Sequence, residues 1–150
     1  MSLKEKINED LKAAIKSQNP LRIETIRSIR AEILKMDKSG MGREMTEEEE
    51  IELLSKQAKM RKESIELFEK AGRTELVTHE KEQLKIIEEY LPKQMSEEEV
   101  KNIISDLILK MGDVTAKDFG KVMGMVMKEL KGKADGKLVQ DVVKAKLGMN

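Results

Sequence analysis

Three times along this chain of 150 residues a serine or threonine stands three positions before a glutamate, at the head of a run of helically spaced apolar residues. The pairs are Ser2 with Glu5, Thr46 with Glu49 and Ser96 with Glu99. Such a pair satisfies two orphan N–H groups of a nascent helix reciprocally, so each marks a helix start. Downstream of these starts, apolar residues recur every three or four positions, and no segment alternates as a strand would. Only Phe68, Tyr90 and Phe119 are aromatic, 39% of residues are charged, and Met, Leu, Ile, Lys and Glu abound. These residue types favour helix. The expected fold class is all-α.

Start and stop signals divide the chain into seven helices. The first follows Ser2, with Leu3, Ile7, Leu11 and Ile15 as its apolar face. Asn19 caps the second, with Pro20 at its first position and Ile26, Ile29 and Ile33 facing inward, ending before DKSGMG. That glycine-containing stretch is the expected mobile loop of the N-terminal half. Thr46 opens a long third helix with Ile51, Leu54, Ala58, Ile65 and Phe68 on one stripe, ending at Ala71 and Gly72. A fourth follows Thr74, with Leu76, Leu84, Ile87 and Leu91 inward and Pro92 as its stop. Ser96 opens the fifth, with Val100, Ile103, Leu107 and Met111. Thr115 opens the sixth, Gly132 closes it, and Asp135 caps the seventh. The connector LPKQMSEE breaks one helix and starts another, so the expected organisation is an N-terminal bundle of about four helices over 1–93 and a three-helix module over 96–150.

Several kinds of chemistry lack the residues they need. With no cysteine there is no disulfide framework, thiolate nucleophile or Cys-bound zinc. Neither a GxxxxGK[ST] nor a GxGxxG phosphate loop is present, nor an HExxH pair. His79, the sole histidine, lies among charged residues in THEKEQ and reads as an exposed helix residue. The runs TEEEE and SEEE fall in first helical turns, where carboxylates complement the helix dipole. No catalytic residue, metal site or cofactor is therefore expected. The N-terminus is amphipathic and interrupted by charge, and no run approaches the roughly 20 apolar residues of a membrane span. A cytoplasmic location with no membrane partner is the expectation.

Lys plus Arg balances Asp plus Glu at 29 each, so any polyanion site must be a local patch. From Gly112 onward there are eight basic and five acidic residues. On a helical wheel of the sixth helix, Phe119, Val122, Met123, Val126 and Leu130 share one side. Lys117, Lys121, Lys128 and Lys131 lie within about 40° of the opposite pole, with Gly124 in their midst. An interior glycine costs a helix about 1 kcal/mol against alanine. Gly124 therefore faces away from the core, where a missing side chain lets a phosphodiester backbone approach between lysines. Lys133, Lys137 and Lys144 extend the candidate nucleic-acid surface. The plain alternative is the solvated face of any amphipathic helix. Met123 and Met127 read as core filling. Arg22 and Arg30, beside the apolar arc of the second helix, are expected to pair with carboxylates such as Glu80 or Glu82.

The stretch KMRKESIELFEKAGRTELVTHEKEQLKIIEEYLPKQMSEEEV, followed by DFGKVMGMVMKELKGKADGKLVQDVVKAKL, resembles the YqeY-like proteins, and LRIETIRSIRAEI near the start belongs to the same likeness. The order AGR, E-x-E, YLP, GKVMG carries it. Residues 97 to 148 also resemble the tail domain of the B subunit of the tRNA-dependent amidotransferase (GatB), through G-x-x-M-K-x-x-K-G-K-A from Gly124 to Ala134. That resemblance implies a small helical domain holding the tRNA body. The resemblance covers the tail and not the domain that carries the kinase and transamidase chemistry of that enzyme, so a carbon–nitrogen ligase activity with glutamine as amido donor is expected to attach to the chain only by homology. The leading expectation is a non-catalytic tRNA-binding or amidotransferase-associated accessory protein, partnered by tRNA, amidotransferase subunits or an aminoacyl-tRNA synthetase. The alternative is a helical protein-interaction module without RNA binding, whose signature is an exposed apolar patch on the N-terminal helices.

Overall fold

At each of the three Ser/Thr-x-x-Glu sequences the hydroxyl accepts from the glutamate N–H, and the glutamate carboxylate accepts from the N–H of the capping residue. These contacts appear in a computed structural model that describes residues 1–39 and 42–149. Each such cap is worth about 1 kcal/mol. Among the described residues the chain is all-α, with α1 (Leu3–Lys16), α2 (Pro20–Lys38), α3 (Glu47–Lys70), α4 (Thr74–Glu88), α5 (Glu97–Met111), α6 (Phe119–Leu130) and α7 (Gly136–Lys146). A single 3-10 turn, Ala116–Asp118, precedes α6. Thr115 caps that turn rather than α6 itself, with Asp118 completing a fourth reciprocal cap.

The chain divides into two compact units, Met1–Leu91 and Pro92–Asn150. In the first, α1 packs on α2, and α3 pairs with α4. Ile7, Ile26, Ile29, Ile33, Leu54 and Ile87 form its buried centre. In the second, Val100 and Ile104 of α5, Val122, Val126 and Leu130 of α6, and Val139 and Val143 of α7 are all inaccessible to solvent. Burying each such side chain stabilises the fold by roughly 1.5–3 kcal/mol before the cost of ordering it.

Several boundaries and faces differ from the sequence expectation. α2 continues to Lys38, with Lys35 and Lys38 in its last turn, where cations favour the helix dipole. Of the DKSGMG loop expected to be mobile, Gly40 and Met41 lie outside the described residues. α4 begins at Thr74 without a side-chain cap and stops at Glu88, four residues before Pro92. Ile15 is 48% exposed, and Ala14 takes its place in the core. The wheel explains the exchange: Ala14 falls about 20° from Ile7, whereas Ile15 falls about 80° away. On α3 the buried positions include Gln57, while Ile51 and Phe68 are only half-buried.

The ion pairs also choose other partners. Arg22 pairs with Glu89 at 2.9 Å, Arg30 donates to Asn8 Oδ1 at 3.1 Å, and Glu80 is taken by Arg61 at 3.1 Å. Arg22 stands at the start of α2, where the turn after α4 passes, so Glu89 lies nearer than Glu80 or Glu82. The half-buried His79 places Nε2 3.6 Å from Glu24.

Candidate nucleic-acid interface

The amphipathic division of α6 fixes what faces outward. Val122, Val126 and Leu130 are fully buried, and Phe119, Met123 and Met127 pack against the same cluster. Lys121, Gly124 and Lys128 are exposed on the other side. A Cβ added at Gly124 would meet nothing within 4 Å, and the same holds for Gly120, one turn earlier. No contact within the protein requires glycine at either position. Lys121 and Lys128 are separated by about 10 Å along the helix, with Gly124 on one side of the line between them and the exposed Met125 on the other.

The other lysines lie outside α6. Exposed Lys117 is in the 3-10 turn, whose three-residue period removes it from the α6 wheel, and half-buried Lys131 is the C-cap with non-helical backbone. They flank the face at its two ends instead of continuing it. Lys133 is half-buried in the turn between α6 and α7, and Lys137 is exposed in the first turn of α7. Lys144 is half-buried, with its ammonium 6.0 Å from the centre of the Phe119 ring. This cation–π contact places Lys144 at the border of the apolar cluster and not on a free outer face.

Backbone bonds that no sequence motif announces hold the turn carrying Lys131 and Lys133. Gln94 Nε2 donates to the carbonyl of Gly132 at 2.7 Å and to that of Pro92 at 3.0 Å, and the Met95 N–H donates to the Lys133 carbonyl at 2.8 Å. Gly132 itself sits at φ +78, a conformation that side chains disfavour, which lets the chain reverse after α6. The turn is thereby fixed from outside the α6–α7 pair.

Among the described residues the ammoniums of Lys117, Lys121, Lys128, Lys133 and Lys137 have no carboxylate within 4 Å. Two nearby acids are occupied by backbone: Asp118 accepts from the Thr115 N–H at 2.8 Å and Asp135 from the Lys137 N–H at 3.2 Å. No group of three or more His, Asp or Glu side chains among the described residues could hold a metal ion. No helix among them is long and apolar enough to cross a membrane.

Residues 4–147 match the family described as Yqey-like protein. A relative from Pyrenophora tritici-repentis, named Altered inheritance of mitochondria protein 41, mitochondrial, is 34% identical over 94% of this chain and 81% of its own length. The protein of the same name from Lachancea thermotolerans is 33% identical over 70% of this chain and 57% of its own. A glutamyl-tRNA(Gln) amidotransferase subunit from Thermococcus sibiricus is 34% identical over 80% of this chain, which spans only 20% of that larger protein. The names of the Pyrenophora and Lachancea relatives assign them to mitochondria, which overturns the cytoplasmic expectation. Absence of cysteine does not distinguish the two compartments. With its match running from residue 4 to residue 147, the chain belongs to the Yqey-like protein family.

Proposed function

We propose that this protein is a non-catalytic accessory factor of tRNA-dependent amidation, and that its C-terminal unit holds tRNA through the phosphodiester backbone. The observation that carries the reading is Gly124: an open glycine in a helix interior, between exposed lysines that have no counter-ion among the described residues. A solvated helix face gains nothing from glycine there, whereas a phosphate strand brought against the helix gains a closer approach to the flanking ammoniums. The similarity to a segment of an amidotransferase component named for glutamyl-tRNA(Gln) supports tRNA as the class of ligand and an amidotransferase as the partner. The scarcity of aromatic residues favours shape and backbone recognition of folded RNA over stacking on single-stranded bases.

The test is equilibrium binding of total tRNA to the full chain at low salt, beside the Lys121→Glu/Lys128→Glu double variant. Binding that the double variant loses at least tenfold supports the reading, since two attractive phosphate contacts become repulsive. Equal affinities, or no binding by either protein, contradict it.

A further inference from the structure

Ile15, the exposed isoleucine of α1, lies beside Leu11, which the core covers only in part. With Leu11, and with Ala31 and Leu34 of α2, it lines an open groove on the outside of the α1–α2 hairpin. The groove continues past Ile15 toward the start of α2, where Pro20 and Ile23 line it. Following α2 from Pro20 to Leu34, it is about 21 Å long at 1.5 Å per residue, the length of a helix of about four turns.

The rim is basic. Lys12, Arg27 and Arg30 stand along the stretch formed by Leu11, Ile15 and Leu34, with no carboxylate among the residues lining it. Arg30 is oriented by its hydrogen bond to Asn8, while Lys12 and Arg27 have no ionic partner among the described residues. Glu24, the acid of the adjoining stretch, is 3.6 Å from His79. An apolar floor beneath an unneutralised cationic rim matches a ligand that is apolar on one side and acidic at its edges.

We propose that this groove docks an acidic amphipathic helix of a partner protein. Helices recognised this way place apolar side chains at i, i+3, i+4 and i+7 into such a groove, and here their flanking carboxylates meet Lys12, Arg27 and Arg30. The aliphatic floor offers an RNA strand no ring on which to stack its bases. The surface lies wholly within the N-terminal unit, so this proposal is independent of the lysine face of α6.

The probe is a synthetic peptide of about 15 residues with leucines at helical spacing and glutamates elsewhere, beside a twin in which lysine replaces every glutamate. Titrated into the isotopically labelled full chain, the acidic peptide shifts the amide resonances of Leu11, Ile15, Ala31 and Leu34. Arg27→Glu and Ile15→Asp, both at exposed positions, each weaken it roughly fivefold or more. The proposal is overturned if the shifts fall elsewhere, if the basic twin binds equally well, or if no saturable shift occurs up to about 1 mM peptide. It is also overturned if tRNA perturbs the same residues and displaces the peptide, which reassigns the groove to RNA.

Discussion

The Tyr90 hydroxyl donates to the carboxylate of Asp10, tying the turn after α4 to α1 across 80 positions of sequence. The ammonium of Lys6 stands 5.3 Å from the centre of the same ring. Burial and the hydrogen bond to Asp10 both raise the Tyr90 pKa well above its ordinary value. Tyr90→Phe removes the hydroxyl and leaves Asp10 without it, which costs about 1–2 kcal/mol in urea unfolding at neutral pH. The pH dependence follows from the direction of the shift. A group whose pKa is higher folded than unfolded contributes stability that is full below about pH 10 and is lost as pH rises through the folded value. The difference between wild type and Tyr90→Phe therefore shrinks above that pH, and a constant difference contradicts the assignment.

Glu49 gives the opposite sign. Its carboxylate accepts from Arg43 at 2.6 Å and from the Thr46 N–H at 3.1 Å, and these bonds hold its pKa down at about 2, below an ordinary 4.5. A depressed carboxylate contributes stability that is present above pH 4.5 and lost as pH falls toward 2. Glu49→Gln keeps a capping side chain at the start of α3 but removes the charge facing Arg43. Helicity followed from pH 5 to 2 is expected to fall less steeply in the variant than in wild type. Identical acid limbs contradict this role for Glu49.

Gly124→Ala separates the demands of folding from those of binding. Its added methyl meets no atom within 4 Å, and helix propensity then favours alanine by up to about 1 kcal/mol. The variant is expected to unfold at higher urea concentration than wild type without binding tRNA more tightly. A loss of stability shows that the position is more crowded than its geometry indicates.

The helix starts were legible because capping chemistry is local: Ser2, Thr46 and Ser96 with their glutamates need no distant residue to act. The α6 share of the C-terminal core was legible for the same reason, since α6 repeats its apolar positions from Val122 to Leu130, whereas on α5 Ile104 is buried and the expected Ile103, Leu107 and Met111 only partly so. Ile15 was not, because α1 offers two adjacent stripes, and only the neighbouring helices decide which enters the core. Arg22 could be read as an ion-pair former, but its partner depends on which helix ends meet. The helical wheel gathers the lysines into one stripe, whereas Lys117 and Lys131 lie beyond the ends of α6 and Lys144 leans on Phe119. The bonds from Gln94 and Met95 to the Gly132–Lys133 turn left no trace in the sequence, because a backbone carbonyl can be met by any donor that the fold brings to it.

The salt dependence of tRNA affinity, measured for wild type and for Lys121→Gln, tests the central claim most directly. If the face of α6 grips phosphates, log Kd rises steeply with log salt, and removing one lysine contact lowers the slope by about 0.7–0.9. Two coincident slopes, or an affinity indifferent to salt, contradict a phosphodiester contact at Lys121.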